Sequence, residues 1–249
     1  MRIPERRKLE NEYQEQAARY HAAARRVLRR LQRLMAAHEI NASIKYRVKS
    51  FESYFEKILR LRKSSGPRIA ITDVIGFRII CPFLSDLDVV RRLIRDHFRV
   101  VETETKGAEH SFREFGYSSI HLMIDLKKEI KTRPIFATRR VAEIQLRTIL
   151  QDAWAEVEHE LVYKSEDTVL DEPIKRKLAS LNATLTLSDV IFQEIREYQR
   201  EVQQRESRRK ASIEERVLTY ETAPGLDEAE LTFIRQGEDR TVGPIQHRG

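Results

Sequence analysis

Residues 139–164, RRVAEIQLRTILQDAWAEVEHELVYK, predict a strand that runs directly into a helix. Apolar and polar residues alternate from Val141 to Arg147, and a period of two is typical of a strand with one face in the core. After Thr148 the apolar residues recur at the spacing of a helix, as Leu150, Trp154, Val157 and Leu161. Both elements therefore have one apolar side, and the rest of the fold can be built around them.

Three side chains of different chemistry follow one another on the polar face of this strand. They are a carboxylate, an amide and a guanidinium, from Glu143, Gln145 and Arg147. Together they offer a metal ligand or general base, a hydrogen-bonding group and a fixed cation, which suits a phosphate chemistry site. The alternative is an edge strand whose polar face is solvated. The segments that precede the strand favour the first interpretation.

The composition is that of a highly charged globular protein. Of the 249 residues, 41% are hydrophobic and 34% are charged, and this length can hold one large domain or one domain with appendages. The net charge of +7 favours anionic partners, either nucleotides or nucleic acid. Every apolar run is shorter than the ~18 residues that a membrane span needs, so no membrane partner is expected.

The cysteine content and the N-terminus predict a cytoplasmic protein. Cys81 is the only cysteine, which excludes disulfide scaffolds and cysteine-based zinc sites and fits a reducing compartment. Its apolar neighbours predict a buried core thiol rather than a nucleophile. The N-terminal sequence MRIPERRKLE lacks the apolar core of a signal peptide.

Two long amphipathic helices are predicted outside the central region. Residues 5–38 and 173–209 carry apolar residues at every third or fourth position. The first helix also bears Arg25, Arg26, Arg29 and Arg30, which form either a solvated helix face or a nucleic-acid patch. Residues 205–215 are interpreted as a solvated linker, and the chain from residue 220 as a poorly ordered tail or small docking element. The predicted divisions are an N-terminal helix (1–40), a core (41–165), a C-terminal helical region (166–212) and a tail (213–249).

A cluster of cations is predicted where a strand meets a helix. Residues 43–49, SIKYRVK, alternate as a strand, and Ser50 is placed to cap the helix that follows. Arg47, Lys49 and Lys57 can converge at this corner, close to a helix N-terminus. Such a corner suits a polyphosphate. A basic surface without a ligand is the alternative.

A second strand carries an acid at its start and a cation inside it. Residues 63–68, KSSGPR, predict a loop, and the mostly apolar, β-branched residues 74–81 predict a buried strand. Asp73, at the mouth of this strand, is either a turn residue or a magnesium ligand. Arg78 lies within the apolar run, where a cation is costly unless it is paired, which makes it a candidate site residue.

The next predicted elements are a helix over 86–98, a strand over 98–105 and a loop that starts at Lys106 and Gly107. The loop leads into YSSIHLMIDL, another alternating strand. Its polar face would hold Tyr117, Ser119 and His121, which suit base stacking and phosphate contacts. A cross-strand aromatic pair and a structurally satisfied histidine are the alternative.

Four of these segments, in their order and spacing, resemble the synthetase domain of the RelA/SpoT alarmone synthetase family. They are YRVKSFESYFEKI, TDVIGFRII, FGYSSIHL and EIQLRTILQDAWAEVEHELVYK, and the similarity spans roughly residues 40–165. The resemblance implies an α/β, nucleotidyltransferase-like fold. Its mixed sheet would have about five strands flanked by helices, here with long N- and C-terminal helices. Because no hydrolase domain is seen before this region and no long regulatory region after it, a small, single-domain member is expected.

The resemblance also implies an activity, the transfer of pyrophosphate from ATP to the ribose 3′-hydroxyl of GDP or GTP with Mg²⁺. Asp73 matches the metal-binding aspartate, and Glu143 matches the catalytic glutamate, which is expected to share the metal. Tyr117 matches the tyrosine that stacks on guanine. The cations matched to the ATP site are Arg47, Lys49, Lys57 and Arg78. The residues assigned to the acceptor nucleotide's side are Lys106, His121 and Gln145.

The residues themselves agree with this chemistry. The sequence has no GxxxxGK loop and only 8 glycines, so side-chain cations must bind the phosphates. A hydroxyl nucleophile needs a base, and Glu143 is the acid on the polar face of its strand. Glu156 and His159, three residues apart on the following helix, could form a metal pair. A structural role is favoured because no third ligand is suitably spaced.

Two other functions stay open at this point. Some small members of the family are toxins that transfer pyrophosphate to the 3′ end of tRNA, and the basic helix leaves a tRNA partner open. A catalytically dead nucleotide- or RNA-binding relative is the other alternative, although the matched acids and cations are all present. The apolar stripes on the two long helices further predict a homo-oligomer, and the resemblance favours a tetramer.

Overall fold

The structure, a computed structural model, describes residues 5–65, 70–106, 119–158, 160–161 and 171–221. The chain divides into two units, Met1–Gln193 and Glu194–Gly249. The first unit contains the whole sheet, and the described part of the second is helical. Among the described residues no helix is long and apolar enough to cross a membrane.

Five α-helices and five strands are found in the described part of the chain. The helices are α1 (Arg6–Ala37), α2 (Phe51–Ser65), α3 (Leu84–His97), α4 (Ile149–Glu158) and α5 (Glu172–Glu221). The strands are β1 (Ser43–Val48), β2 (Ile75–Cys81), β3 (Val100–Lys106), β4 (Ser119–Asp125) and β5 (Val141–Thr148).

The strands form one mixed sheet in the order β1-β2-β5-β4-β3. β2 and β5 run parallel, and the other neighbours are antiparallel. The prediction of a mixed sheet of about five strands flanked by helices is therefore confirmed. β5 has a partner on each side, so the interpretation of 141–147 as a solvated edge strand is wrong.

One face of the sheet packs into the hydrophobic core. Ala142, Ile144 and Leu146 of β5 are fully buried, as their alternation predicted. They share one core with residues of α1, α2 and α3. The α1 side of this core follows the three- and four-residue spacing of the sequence, with Leu9, Tyr13, Tyr20, Ala24, Val27, Leu31 and Leu34. The polar face of the sheet is thereby directed away from this core.

The helix α2 begins as predicted and ends later than predicted. The backbone N–H of Ser53 donates to Ser50 Oγ at 3.3 Å, so Ser50 caps the helix. Residues 63–65, which were predicted to begin a loop, are still helical. The helix-breaking residues of the predicted loop, Gly66 and Pro67, come after these three residues in the sequence.

The helix α5 is longer than the sequence pattern indicated. The prediction of a linker over 205–215 is wrong, because α5 continues to Glu221. The charged residues of this segment are strong helix formers, and no glycine or proline occurs between Pro173 and Pro224. Of the predicted tail, residues 222–249 lie outside the described part of the chain.

Within the first unit, α5 is joined to the end of β5 by a buried hydrogen bond. Thr148 Oγ1 donates to Asp189 Oδ2 at 2.7 Å, and Asp189 is only 2% exposed. Gln193 Oε1 accepts a hydrogen bond from the backbone N–H of Ser85 at 3.1 Å, near the start of α3. These two polar contacts hold α5 against the C-terminal end of β5 and the start of α3.

Replacement of Asp189 should destabilise this unit. Asp189→Ala leaves the buried Thr148 hydroxyl without this acceptor, which should lower the free energy of unfolding by roughly 1–3 kcal/mol in urea denaturation. Ser188→Ala is the control, because the Ser188 hydroxyl donates to Thr184 O on an exposed part of the same helix. Equal losses in the two variants would contradict a structural role for the Thr148–Asp189 bond.

Candidate functional site

The polar face of the sheet carries a row of functional side chains across four strands. Lys45 is paired with Arg78, Arg78 with Gln145, and Gln145 with His121. Paired residues in a sheet project to the same side, so these four side chains share one face. In the next row along the strands, Glu143 of β5 lies beside Gly76 of β2.

A cavity of about 270 Å³ opens on this face. Both predicted acids line it, together with two of the predicted ATP-site cations. The predicted site residues in its lining are Arg47, Asp73, Arg78, Glu143 and Gln145. The fold therefore brings residues from three strands and the segment before β2 into one concave site.

Asp73 is held by two lysines. Lys49 Nζ and Lys57 Nζ each lie 2.7 Å from Asp73 Oδ2. Burial alone would raise the pKa of Asp73, but the hydrogen bonds and charges of the two lysines outweigh it and lower the pKa below its ordinary value. The predicted convergence of Lys49 and Lys57 is thus found, although both contact a carboxylate that the sequence did not assign to them.

Glu143 is in contact with a histidine on the neighbouring strand. It is 8% exposed, and its Oε1 lies 2.5 Å from His121 Nδ1 and accepts a hydrogen bond from Gln145 Nε2 at 3.3 Å. Burial alone would raise the pKa of Glu143, but His121 chiefly, and then Gln145, lower it. His121 Nε2 lies 3.1 Å from Ser119 Oγ, so Ser119 and His121 share a face as predicted.

Arg78 has carboxylate partners, as a cation within an apolar run requires. Its Nη1 lies 2.9 Å from Asp152 Oδ1 and also donates to Glu156 Oε1. Asp152 further lies within ion-pair distance of Lys45 and Arg147, at 3.4 and 3.7 Å. Asp152 is a candidate functional residue that the sequence motifs did not indicate. Asp152 lies four residues before Glu156 on the helix after the polar strand. This spacing places both carboxylates on one face of the helix and could have indicated Asp152 from the sequence.

The structural interpretation of Glu156 agrees with its contact to Arg78. Among the described residues no group of three or more histidine, cysteine, aspartate and glutamate side chains is placed to hold a metal ion. His159 and Tyr117 lie outside the described residues. Lys106 is the last residue of β3, and its backbone is paired with Ser119. Its side chain is not among the parts of the chain that the structure describes.

Part of the arginine cluster on α1 packs against the protein itself. Arg26 Nη2 donates to the backbone carbonyl of Glu129 at 2.7 Å. Arg30 bonds the Glu129 carboxylate at 3.1 Å, and its guanidinium lies 4.3 Å from the ring centre of Phe98. These contacts favour a structural role for these two arginines over a nucleic-acid patch.

The carboxylates of the cavity fit a magnesium ion. Asp73 Oδ1 is buried and has no hydrogen-bond partner among the described residues, while the lysines occupy Oδ2. Glu143 lines the same cavity, and the charge of Asp73 acts on it. Mg²⁺ prefers oxygen ligands and is commonly held by one or two carboxylates, with water and substrate phosphates completing its shell. Two acids in one cavity lined by cations meet that requirement.

Comparison with known proteins places the chain in a family. Residues 46–168 match the model of the region found in RelA/SpoT proteins. The GTP pyrophosphokinase YjbM of Bacillus subtilis strain 168 is 31% identical over 172 residues, which cover 68% of this chain and 78% of YjbM. The chain belongs to the RelA/SpoT family. The family predicted from the four sequence motifs is therefore confirmed.

Two further RelA/SpoT relatives extend the comparison. The GTP pyrophosphokinase YwaC of the same strain is 35% identical over 143 residues, 55% of this chain and 65% of YwaC, so the match spans slightly under two thirds of that relative. Small alarmone synthetase 1 from Bacillus subtilis, in a crystal structure with its product pppGpp, has 27% identity and a TM-score of 0.61. That alignment covers 75% of this chain and 97% of the other. This chain therefore shares its fold with that solved structure.

The contacts of Asp73 with Lys49 and Lys57 should make the free energy of unfolding of the RelA/SpoT chain depend on pH in the acid range. Its folded-state pKa is below the ordinary value of 3.8, so its stabilising contribution is complete above that value and is lost as the pH falls through the folded-state pKa. Asp73→Asn cannot ionise, so it should lose less stability than the wild type as the pH falls below about 4.

Urea unfolding at stepped pH, with a chelator present, measures this difference. The control is Asp88→Asn, which removes a carboxylate that is 63% exposed and paired with Arg91 on the surface. This variant should follow the wild-type curve, since exposed ion pairs contribute little. If Asp73→Asn and the wild type lose stability in parallel, the two lysines do not hold Asp73 in its charged form in solution.

Proposed function

We propose that the chain is a small alarmone synthetase that transfers pyrophosphate from ATP to the ribose 3′-hydroxyl of GDP or GTP. The observation that carries this proposal is the cavity that joins two carboxylates, Asp73 and Glu143, to the cations Arg47 and Arg78. The relatives YwaC and YjbM are named GTP pyrophosphokinases, and the related solved structure holds pppGpp. Nucleotides are thus the substrates to test first.

Glu143 is proposed as the general base. The 3′-hydroxyl of a ribose has a pKa far above 7 and must lose its proton as it attacks the β-phosphorus of ATP, from which AMP leaves. The contacts of His121 and Gln145 with Oε1 hold the carboxylate in place, and its lowered pKa keeps it ionised near neutral pH. The acceptor would therefore lie on the His121 and Gln145 side of the cavity.

The phosphates of ATP are proposed to lie against the side-chain cations. Arg47 and Arg78 line the cavity, and Lys49 and Lys57 stand at its Asp73 side. Lys49, Lys57 and Arg78 are held by carboxylates before substrate binds, so these three cations need little reorganisation when negative charge develops on the transferred group. Arg78 would exchange part of its contact with Glu156, which is 63% exposed at its side chain, for phosphate oxygens.

Magnesium is proposed as the cofactor, held by Asp73 and Glu143. When bound, it would supply positive charge that stabilises the negative charge on the oxygens of the phosphoryl group under attack. Asp73 Oδ1 is available for it, because Lys49 and Lys57 occupy only Oδ2. The two lysines would then keep the carboxylate ionised and oriented. Removal of divalent ions with a chelator should stop transfer.

The remaining acceptor contacts rest on the family motif. Tyr117 is proposed to stack on the guanine base, and Lys106 to lie on the same side as His121 and Gln145. Stacking on an aromatic side chain contributes about 1–3 kcal/mol per base. Because the acceptor hydroxyl must reach Glu143, a guanine site adjoining the His121–Glu143 contact suits the proposed reaction.

Replacement of the base tests the proposed function. Glu143→Gln should lower the turnover number by about 10²–10⁴ while the protein stays folded, because the amide cannot accept the proton. Transfer from γ-labelled ATP to GDP or GTP is followed by thin-layer chromatography. Glu102→Gln is the control, since this residue lies on β3 with its side chain 57% exposed.

Three outcomes would contradict parts of this assignment. Wild-type turnover in Glu143→Gln would exclude Glu143 as the base. Label transferred to the 3′ end of tRNA, and not to GDP or GTP, would show that the chain is a tRNA-modifying member of the family. If the wild type transfers label to neither acceptor, the chain is a binding relative without this activity.

A homo-oligomer is proposed, with α5 as the contact. Leu187, Val190 and Ile191 lie three and four residues apart on this helix and are 59%, 40% and 43% exposed. An exposed apolar stripe of this kind suits a second copy of the same helix, and the family resemblance favours a tetramer.

Charges on the α5 stripe should dissociate the assembly. Multi-angle light scattering at micromolar concentration should show an oligomer for the wild type and a smaller species for Leu187→Glu/Ile191→Glu. Gln32→Glu adds a charge at an exposed position of α1, away from this stripe, and should leave the mass unchanged. A monomeric wild type would contradict the proposal.

A further inference from the structure

Tyr13 of α1 lies in an aromatic cluster under the strand-to-helix corner that precedes α2. It is 5% exposed, and its ring centre lies 5.8 Å from that of Phe51 and 5.5 Å from that of Tyr54. A buried phenol needs a hydrogen-bond partner. The Tyr13 hydroxyl finds one in the backbone carbonyl oxygen of Lys49.

Lys49 sits between two regular elements and is held from three directions. The β1–β2 ladder ends at the pair of Val48 and Ile75, and α2 begins only at Phe51. The backbone N–H of Lys49 donates to Val74 O at 2.8 Å, its side chain reaches Asp73, and its carbonyl accepts from Tyr13. Lys49, which contacts Asp73, is thus itself held in place by the hydroxyl of Tyr13 on α1.

We propose that Tyr13 is a positioning residue for the ATP and metal side of the site, acting through the backbone of Lys49. Without the hydroxyl, the Lys49 carbonyl loses this donor and the corner can shift or rotate. The Lys49 ammonium and the Asp73 carboxylate would move with it, because Lys49 is bonded to Asp73 by its side chain and to Val74 by its backbone. Small displacements of positioning groups have large effects on transfer reactions.

The hydroxyl is suited to this role under assay conditions. Burial, with a smaller contribution from Tyr20, raises the pKa of Tyr13 to about 12. The group therefore stays protonated and remains a donor at the neutral and mildly alkaline pH used for nucleotide assays. A loss of activity in this range cannot come from ionisation of Tyr13.

The same cluster offers a matched control in Tyr54. Tyr54 is fully buried, and its hydroxyl also donates to a backbone carbonyl, that of Phe136, at 2.5 Å. Phe136 lies in the segment before β5 and does not line the cavity that holds Asp73 and Glu143. Tyr13→Phe and Tyr54→Phe each remove one buried hydroxyl and keep the ring. They differ in the groups that lose a hydrogen bond, which are the Lys49 carbonyl in the first variant and the Phe136 carbonyl and the Thr138 side chain in the second.

The experiment compares both variants with the wild type. The measurements are the turnover number, the KM values for ATP and for the acceptor, the binding of a non-hydrolysable ATP analogue with Mg²⁺ by calorimetry, and the unfolding temperature. Both variants should unfold at a lower temperature than the wild type. Only Tyr13→Phe should lower kcat/KM for ATP and weaken binding of the analogue, each by roughly tenfold, with the acceptor KM changed by less than about twofold.

This inference rests on the proposed function, and the two can fail separately. A wild type that transfers no pyrophosphate overturns the proposed function, while analogue binding still reports on Tyr13. Equal ATP parameters in Tyr13→Phe and Tyr54→Phe at similar unfolding temperatures would overturn the positioning role. A defect of Tyr13→Phe confined to the acceptor KM would overturn it as well.

Discussion

The parallel pairing of β2 with β5 is the constraint on which the rest of the site depends. It sets Gly76 beside Glu143 and Arg78 beside Gln145, residues that are far apart in the sequence. Parallel neighbours need a long crossover, and here the intervening chain supplies α3, β3 and β4. Because side chains alternate between faces, a register shift of one residue would turn Glu143 into the core and abolish the site.

The candidate site also depends on a balance between its positive and negative side chains. A phosphate-binding cavity needs cations and a magnesium site needs carboxylates, yet neither is stable when buried alone. The structure answers both needs by pairing Lys49 and Lys57 with Asp73, and Arg78 with Asp152. The same ion pairs hold the groups in place before substrate arrives, which is the arrangement that favours stabilisation of developing charge. In this RelA/SpoT chain the order of the candidate site and the stability of the fold therefore depend on the same contacts.

The helix ends show where local patterns mislead. Hydrophobic periodicity predicted α1, and the cap at Ser50 predicted the start of α2, because caps and apolar stripes are encoded by neighbouring residues. Residues 63–65 of the predicted loop and the whole of the linker predicted over 205–215 are helical. Polar, charged composition alone does not end a helix, whereas glycine and proline do, and these lie further along the chain in both cases.

The sequence by itself determined the faces of the strands, the presence of the acids and cations, and the family, since all of these follow from residue types at short spacing. Only the tertiary structure decided that His121 meets Glu143, that two lysines share one oxygen of Asp73, and that Asp152 joins Glu156 as a partner of Arg78. These contacts join residues from different elements. Their distances are set by strand register and core packing, which depend on the whole sheet and its helices rather than on any one segment.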